Sequence, residues 1–315
     1  AAELLPFADG TDMMGSCRNP AAFSNIYGIR PTPGLIPQDR TEKKDDLPIL
    51  STLGVLGRTP DDIALMLDAV AGKHSLDPFS FDTSRNFREY FLSDKEFCAT
   101  KIGWLRDCNG YYETENQILT LCENILSKLS MSKITVDEVR FQNKLSLLWK
   151  SWKTLRSKTL YNELSSWNLL EEEKVFSVKW ELLQGSVIEE SEIKEALKVR
   201  EEWLDEVNNL FKKFEFLTMP SSQVFPFDKN IAYPNILNGI ELDSYHKWME
   251  IVTIPSLLGL PVISVPVGFN EKGLPMGMQV IAKKGDDLKL LSFAKRYEEL
   301  IKASEVKPDL QKLID

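Results

Sequence analysis

Short apolar runs alternating with amphipathic helical stretches predict an α/β protein, a sheet carrying helices on both faces. Three patterns carry this expectation: strand–helix–strand over 101–139, buried strand runs at 261–267 and 276–282, and an amphipathic helix over 286–301 behind an acidic start. A length of 315 residues corresponds to about two domains at roughly 150 residues each, but α/β chains of this size also form one unit. A single domain over 1–315 is expected. With 43% hydrophobic and 27% charged residues, a packed core is feasible.

The elements follow in order. Residues 1–5 read as the tail of a helix, and the absence of Met before Ala1-Ala2-Glu3 reads as a beginning cut from something longer, so targeting signals are not legible. Residues 9–21 form a tight loop dense in small residues. Residues 26–30 lead into Pro31-Thr32-Pro33-Gly34, where two prolines fix φ and glycine supplies the turn angle. Thr59-Pro60-Asp61-Asp62 combines a hydroxyl cap, a proline at the first helical position and a carboxylate at the third, so a helix starts there. Its buried face is Ile63, Met66, Leu67 and Val70, and Gly72 ends it.

Residues 73–100 are irregular, 101–105 a strand, 113–130 a helix and 134–139 a strand. From about 143 to 213 the pattern is helical and rich in Glu, Lys, Leu and Trp, interrupted at Gly185-Ser186; it is read as an insertion covering one side of the core. A strand at 214–219 precedes a long loop over 220–239, a length that often marks a site. A helix over 243–258 leads into the last two strands and the final helix.

Composition excludes several functions. Lys and Arg number 38 against 47 Asp and Glu, a formal charge of -9, and they are scattered among acids, as at 43–46 and 171–174. No basic block exists to neutralise phosphates, so no nucleic-acid partner is expected. Cys17, Cys98, Cys108 and Cys122 form no C-x-x-C pair, and His74 and His246 are the only histidines, so no metal site is expected. Sparse thiols fit a reducing compartment, and a cytoplasmic location is the expectation. The longest apolar run, 254–269, is broken by three prolines and falls short of the roughly 20 residues that span a bilayer.

The informative segment is Asp9-Gly10-Thr11-Asp12-Met13-Met14-Gly15-Ser16-Cys17-Arg18-Asn19-Pro20-Ala21. A serine behind a glycine in a tight loop meets what a nucleophile needs: an accessible hydroxyl, and adjacent N–H groups to hold the charge on a tetrahedral intermediate. A turn with no chemistry has the same residues. Asp12 and Arg18 also read as a structural ion pair, Cys17 as an inert neighbour, and a Ser-His-Asp triad needs His74 or His246 brought to Ser16 by folding.

The stretch from Gly10 to Ala21, followed by Gly28-Ile29-Arg30-Pro31-Thr32-Pro33-Gly34, resembles the signature of the amidase signature family, G-S/T-D-x-G-G-S-x-R-x-P-A and then G-L/F/I-K/R-P-S/T-x-G. Gly57-Arg58-Thr59-Pro60-Asp61-Asp62 resembles that family's next helix entry. Gly259 through Phe269 and Gly273 through Gln279 resemble its C-terminal strand pair. The resemblance implies a three-layer α/β/α amidase-signature fold around a mixed central sheet. It implies an amidase that cleaves a small-molecule carboxylic amide through a Ser16 acyl-enzyme, with no metal or organic cofactor. On the same matching, the main-chain amides of the stretch from Met13 through Met14 and Gly15 to Ser16 form the oxyanion hole, and Thr11, Asp12 and Arg18 brace the loop.

The family's Ser-Ser-Lys relay uses a bridging serine and a lysine from segments ahead of the signature, which nothing here matches, so the chain alone is expected to be inactive. Met14 stands where the family carries a second glycine. It is expected to keep an ordinary φ and to narrow the acyl pocket. Two other readings stand: a glutaminase-type subunit of a tRNA-dependent amidotransferase, and a noncatalytic homologue or scaffold. The oligomeric state stays open, a homodimer included.

Overall fold

The computed structural model describes residues 2–41, 43, 45–84, 86–90, 100–165, 167 and 175–308. Cys98 and the acidic run at 171–174 lie outside them. Eight strands form one mixed sheet: β1 (Phe7–Asp12), β2 (Tyr27–Arg30), β3 (Thr52–Gly57), β4 (Lys101–Trp104), β5 (Thr135–Glu138), β6 (Phe216–Pro220), β9 (Val262–Phe269) and β10 (Pro275–Ile281). Their order is β1-β3-β2-β9-β10-β6-β4-β5, and a separate hairpin pairs β7 (Ile236–Leu237) with β8 (Ile240–Glu241). β4 runs parallel to β5 and β6; every other pairing in the sheet is antiparallel.

The helices are α1 (Arg18–Phe23), α2 (Pro60–Val70), α3 (Ile118–Met131), α4 (Leu145–Leu164), α5 (Phe176–Ser186), α6 (Glu190–Leu210), α7 (Thr253–Leu258) and α8 (Asp287–Ile301). Successive residues of a strand point to opposite faces, and β2 shows helices on both. Tyr27 donates its hydroxyl to Glu298 of α8 at 2.6 Å. A Cβ on Gly28, the next residue, would lie 2.5 Å from the Cys17 carbonyl and 2.6 Å from Ala21 Cβ, which places α1 against the other face. The absent side chain is what lets α1 sit so close.

Several expectations hold. Thr59 caps α2 with a full capping box to Asp62, β4-α3-β5 is the predicted parallel unit, and Gly185-Ser186 closes α5. Others are corrected. Residues 2–5 are not helical, and residues 9–12, read as part of the loop, belong to strand β1. The helix expected over 243–258 is a 3-10 segment, Lys247–Val252, followed by α7, with Met249 in non-helical geometry. Pro255 has no N–H to bond a carbonyl four residues back, so an unbroken helix would lose that bond. The break leaves the Ile251 carbonyl free to accept from Gln279 Nε2 at 3.3 Å. Among the described residues no helix is long and apolar enough to cross a membrane.

Candidate active site

β1 ends at Asp12 and α1 begins at Arg18, so Ser16 sits in the connection between the first strand and the first helix. The loop is folded around the Asp12 carboxylate. Oδ1 accepts the Gly15 N–H at 2.8 Å, and Oδ2 accepts the Cys17 N–H at 3.2 Å. Arg18 meets the same carboxylate through both edges, Nε to Oδ2 at 2.9 Å and Nη2 to Oδ1 at 2.8 Å. A guanidinium has five N–H donors, and the remaining contacts go to the Val252 carbonyl (2.9 Å), Gln279 Oε1 (2.6 Å) and Ser256 Oγ (2.6 Å). Arg30 adds a bond from Nη1 to the Asp12 carbonyl and one from Nη2 to the Ser256 carbonyl at 3.4 Å.

Asp12, Arg18 and Arg30 are all 0% exposed. Burial alone pushes the Asp12 carboxyl up, but the charges of Arg18 and Arg30 and the bonds it accepts outweigh that and hold it below the usual range. Burial lowers the Arg30 guanidinium to about 10, which leaves it charged at neutral pH. Two cations against one anion give this buried cluster a net charge of +1, a field that favours negative charge developing nearby.

Above this cluster Ser16 is exposed, between the buried Gly15 and Cys17. Its hydroxyl makes no hydrogen bond to a described residue. Gly15 adopts φ +83°, and a Cβ there would lie 2.6 Å from Asn19 Oδ1, so both the backbone angle and the space require glycine. Because the Gly15 N–H is directed at Asp12, it leaves the expected set of oxyanion donors; the amides of Met13, Met14 and Ser16 carry no such bond to Asp12. Thr11 lies in β1, exposed, and its carbonyl accepts from Cys17 Sγ at 3.5 Å. The Cys17 thiol is buried and burial pushes its pKa well up, so it is no thiolate.

The expectation for Met14 is corrected in part. Its φ is not positive, but its side chain is buried in the apolar core. Met13 is the residue that lines a cavity of about 810 Å³, together with Arg40, Lys43, Leu50, Thr159 and Trp167. Neither histidine reaches Ser16. His246 is buried against Trp149, Trp180 and Tyr245, its ring nitrogens unbonded among the described residues, and burial lowers it to about 3. His74 accepts from the Leu76 N–H in a remote turn.

Arg30, Ser256 and Gln279 were not among the expected site residues. Arg30 and Gln279 stand inside stretches that carry the resemblance, which is the signal that points to them; Ser256 has none.

The Amidase family model matches residues 1–291. A glutamyl-tRNA(Gln) amidotransferase subunit of Thermus thermophilus is 28% identical over 98% of this chain and 68% of its own length. An acylamidase of Rhodococcus erythropolis is 26% identical over 98% of this chain and 64% of its own. A bacterial aryl acylamidase of the amidase signature family superposes with a TM-score of 0.85 at 22% identity, over 96% of this chain and 63% of that one. The chain thus spans about two thirds of the length of these relatives. Since the match runs unbroken from the Ser16 loop through the strand that carries Gln279, the chain belongs to the amidase signature family.

Proposed function

We propose that this protein hydrolyses a carboxylic amide to a carboxylate and ammonia or an amine, with Ser16 as nucleophile. Ser16 Oγ adds to the carbonyl carbon, its proton passes to a base, and the tetrahedral alkoxide is held by loop amides. Collapse expels the amine with a proton and leaves an acyl-enzyme, which water then cleaves to the acid and free Ser16. One observation carries the reading: an exposed serine on a loop fixed from beneath by a fully buried, bidentate Asp12–Arg18 pair. Met13, Met14 and Ser16 supply the oxyanion amides on this reading, and one such donor is worth roughly 2.7–4 kcal/mol of barrier. Thr11, Asp12 and Arg18 keep the loop in shape. The bridging serine and lysine of the family's relay are assigned the proton transfer.

The substrate is a small-molecule amide, and the chain is read as one domain with residues 143–213 as an insertion. The free thiols of Cys17, Cys108 and Cys122 support a reducing, cytoplasmic setting. The test uses the protein expressed from its complete gene. Ser16→Ala is expected to abolish amide turnover against a panel of aryl and alkyl amides while leaving the thermal midpoint unchanged; turnover at the parent rate removes the assignment. A second reading, a glutaminase-type subunit of an amidotransferase, is favoured by the identity to the amidotransferase component of Thermus thermophilus. Ammonia release from glutamine that appears only with a partner protein would select it.

A further inference from the structure

A side chain of the helical segment reaches the Ser16 loop. Arg156 of α4 directs Nη1 at the Met13 sulfur, 2.8 Å away and 143 residues earlier in the chain. A thioether is a weak acceptor, so a guanidinium meets one only where its other bonds have fixed its plane. Here they have. Arg156 Nε donates to Glu181 Oε1 of α5 at 2.8 Å, and Nη2 donates to the Tyr245 hydroxyl at 3.0 Å. Tyr245 donates to the same Glu181 oxygen at 2.7 Å, and Ser157 Oγ donates to the other at 2.6 Å. The Glu181 side chain is 2% exposed and the Arg156 side chain 13%, so the pair is largely withdrawn from water.

The geometry points to Arg156 as a positioning residue for the oxyanion loop. It reaches from the helical segment to hold Met13, whose backbone amide stands at the start of the donor stretch. This inference rests on the proposed role of Ser16. The charges of Arg156 and Glu181 cancel, so the contribution is one of placement rather than field. Lysine cannot replace it, since a single ammonium cannot address a carboxylate, a phenol and a sulfur in one plane. Met13 lies in the loop and Arg156 and Glu181 lie on two helices of the helical segment, so this contact ties the loop to that segment.

The test measures the rate at which a fluorophosphonate probe acylates the full-gene protein, together with kcat and KM on an amide that it turns over. Met13→Leu keeps the volume and the Arg156–Glu181 pair but removes the sulfur. It is expected to slow labelling and lower kcat by about tenfold, below the roughly 10²-fold loss tied to an ångström of misplacement, with KM and the thermal midpoint unchanged. Arg156→Gln is expected to slow labelling at least as much and to lower the midpoint, because Glu181 loses its partner. The double variant is expected to label no more slowly than Arg156→Gln alone, the mark of two groups acting through one contact. Parent labelling rates in Met13→Leu, or losses that multiply in the double variant, overturn the positioning role. Ser16→Ala separates the two levels. If it is silent while Met13→Leu labels like the parent, only the positioning role falls; if it still labels, the nucleophile assignment falls and takes the inference with it.

Discussion

Around Ser16 the enclosed groups include three charges tied by directional bonds: Asp12, Arg18 and Arg30 are fully enclosed, and all the Arg18 donors find acceptors, while Arg30 Nε and the Asn19 side-chain amide meet no partner among the described residues. In α4, α5 and α6 the enclosed residues are mainly apolar, with Trp152, Leu155, Trp203 and Val207 among them, and the indole N–H groups of Trp149 and Trp152 meet no partner among the described residues. Directional bonds to fixed acceptors define one geometry, whereas apolar packing defines a volume that several arrangements fill. A loop that must aim a hydroxyl and several amides needs the first kind of construction. A helical cover needs only the second, apart from the place where Arg156 reaches the loop.

Substitutions break the two regions in different ways. The largest effect is expected from Arg18→Met, which leaves the Asp12 carboxylate buried without its bidentate partner. Losing one member of a buried pair costs about 3–5 kcal/mol, and labelling at Ser16 should disappear from the fraction that still folds. Urea denaturation with probe labelling on the same samples checks both; a midpoint and labelling like the parent's would show that the pair does not hold the loop. Trp203→Ala makes a cavity beside Phe141, whose ring centroid lies 4.8 Å away, and should also cost about 3–5 kcal/mol. Its folded fraction should label at the parent rate. Loss of labelling there would erase the distinction between cover and loop.

A smaller effect sharpens the same contrast. Gly28→Ala sets a methyl 2.5 Å from the Cys17 carbonyl, so α1 must back away from the sheet, at about 1–3 kcal/mol for overpacking. Because α1 carries the loop, labelling should slow by more than the stability loss accounts for, and a rate equal to the parent's would contradict this.

The smallest effect is a pH slope. Asp287 opens α8 and accepts from the Thr32 N–H at 2.8 Å and the Thr32 hydroxyl at 2.5 Å; burial raises it to about 6. Between the ordinary carboxylate range and about pH 6 the folded chain keeps a proton that the unfolded chain releases. Stability from this group is therefore greatest at low pH and falls as pH rises through 6. Asp287→Asn should flatten that part of the parent's curve of urea midpoint against pH, and an unchanged slope would rule the group out as its source.

Local chemistry made part of this architecture legible. The capping box at Thr59 and Asp62 and the apolar runs of β4, β9 and β10 are each encoded within a few residues. β3 escaped notice because Gly54 and Gly57 interrupt its short apolar run; Gly54 is there to make room for the Ile29 carbonyl of the neighbouring strand. β1 escaped because it pairs only with β3, which a loop-like composition conceals. At the site, Asp12 and Arg18 are six residues apart and their pairing is open to a local reading. Gln279 and Ser256 come to Arg18 from 261 and 238 residues away, and only the folded sheet and the break before α7 bring them there. The Arg156–Met13 contact is long-range in the same way, and no local pattern announces it.

The most direct test of the central claim is to map the covalent adduct of a fluorophosphonate on the full-gene protein by peptide mass spectrometry. One phosphonylated site is expected, Ser16, on the peptide that runs from β1 into α1, with no adduct in Ser16→Ala. An adduct on any other serine, with Ser16 unmodified, would contradict it.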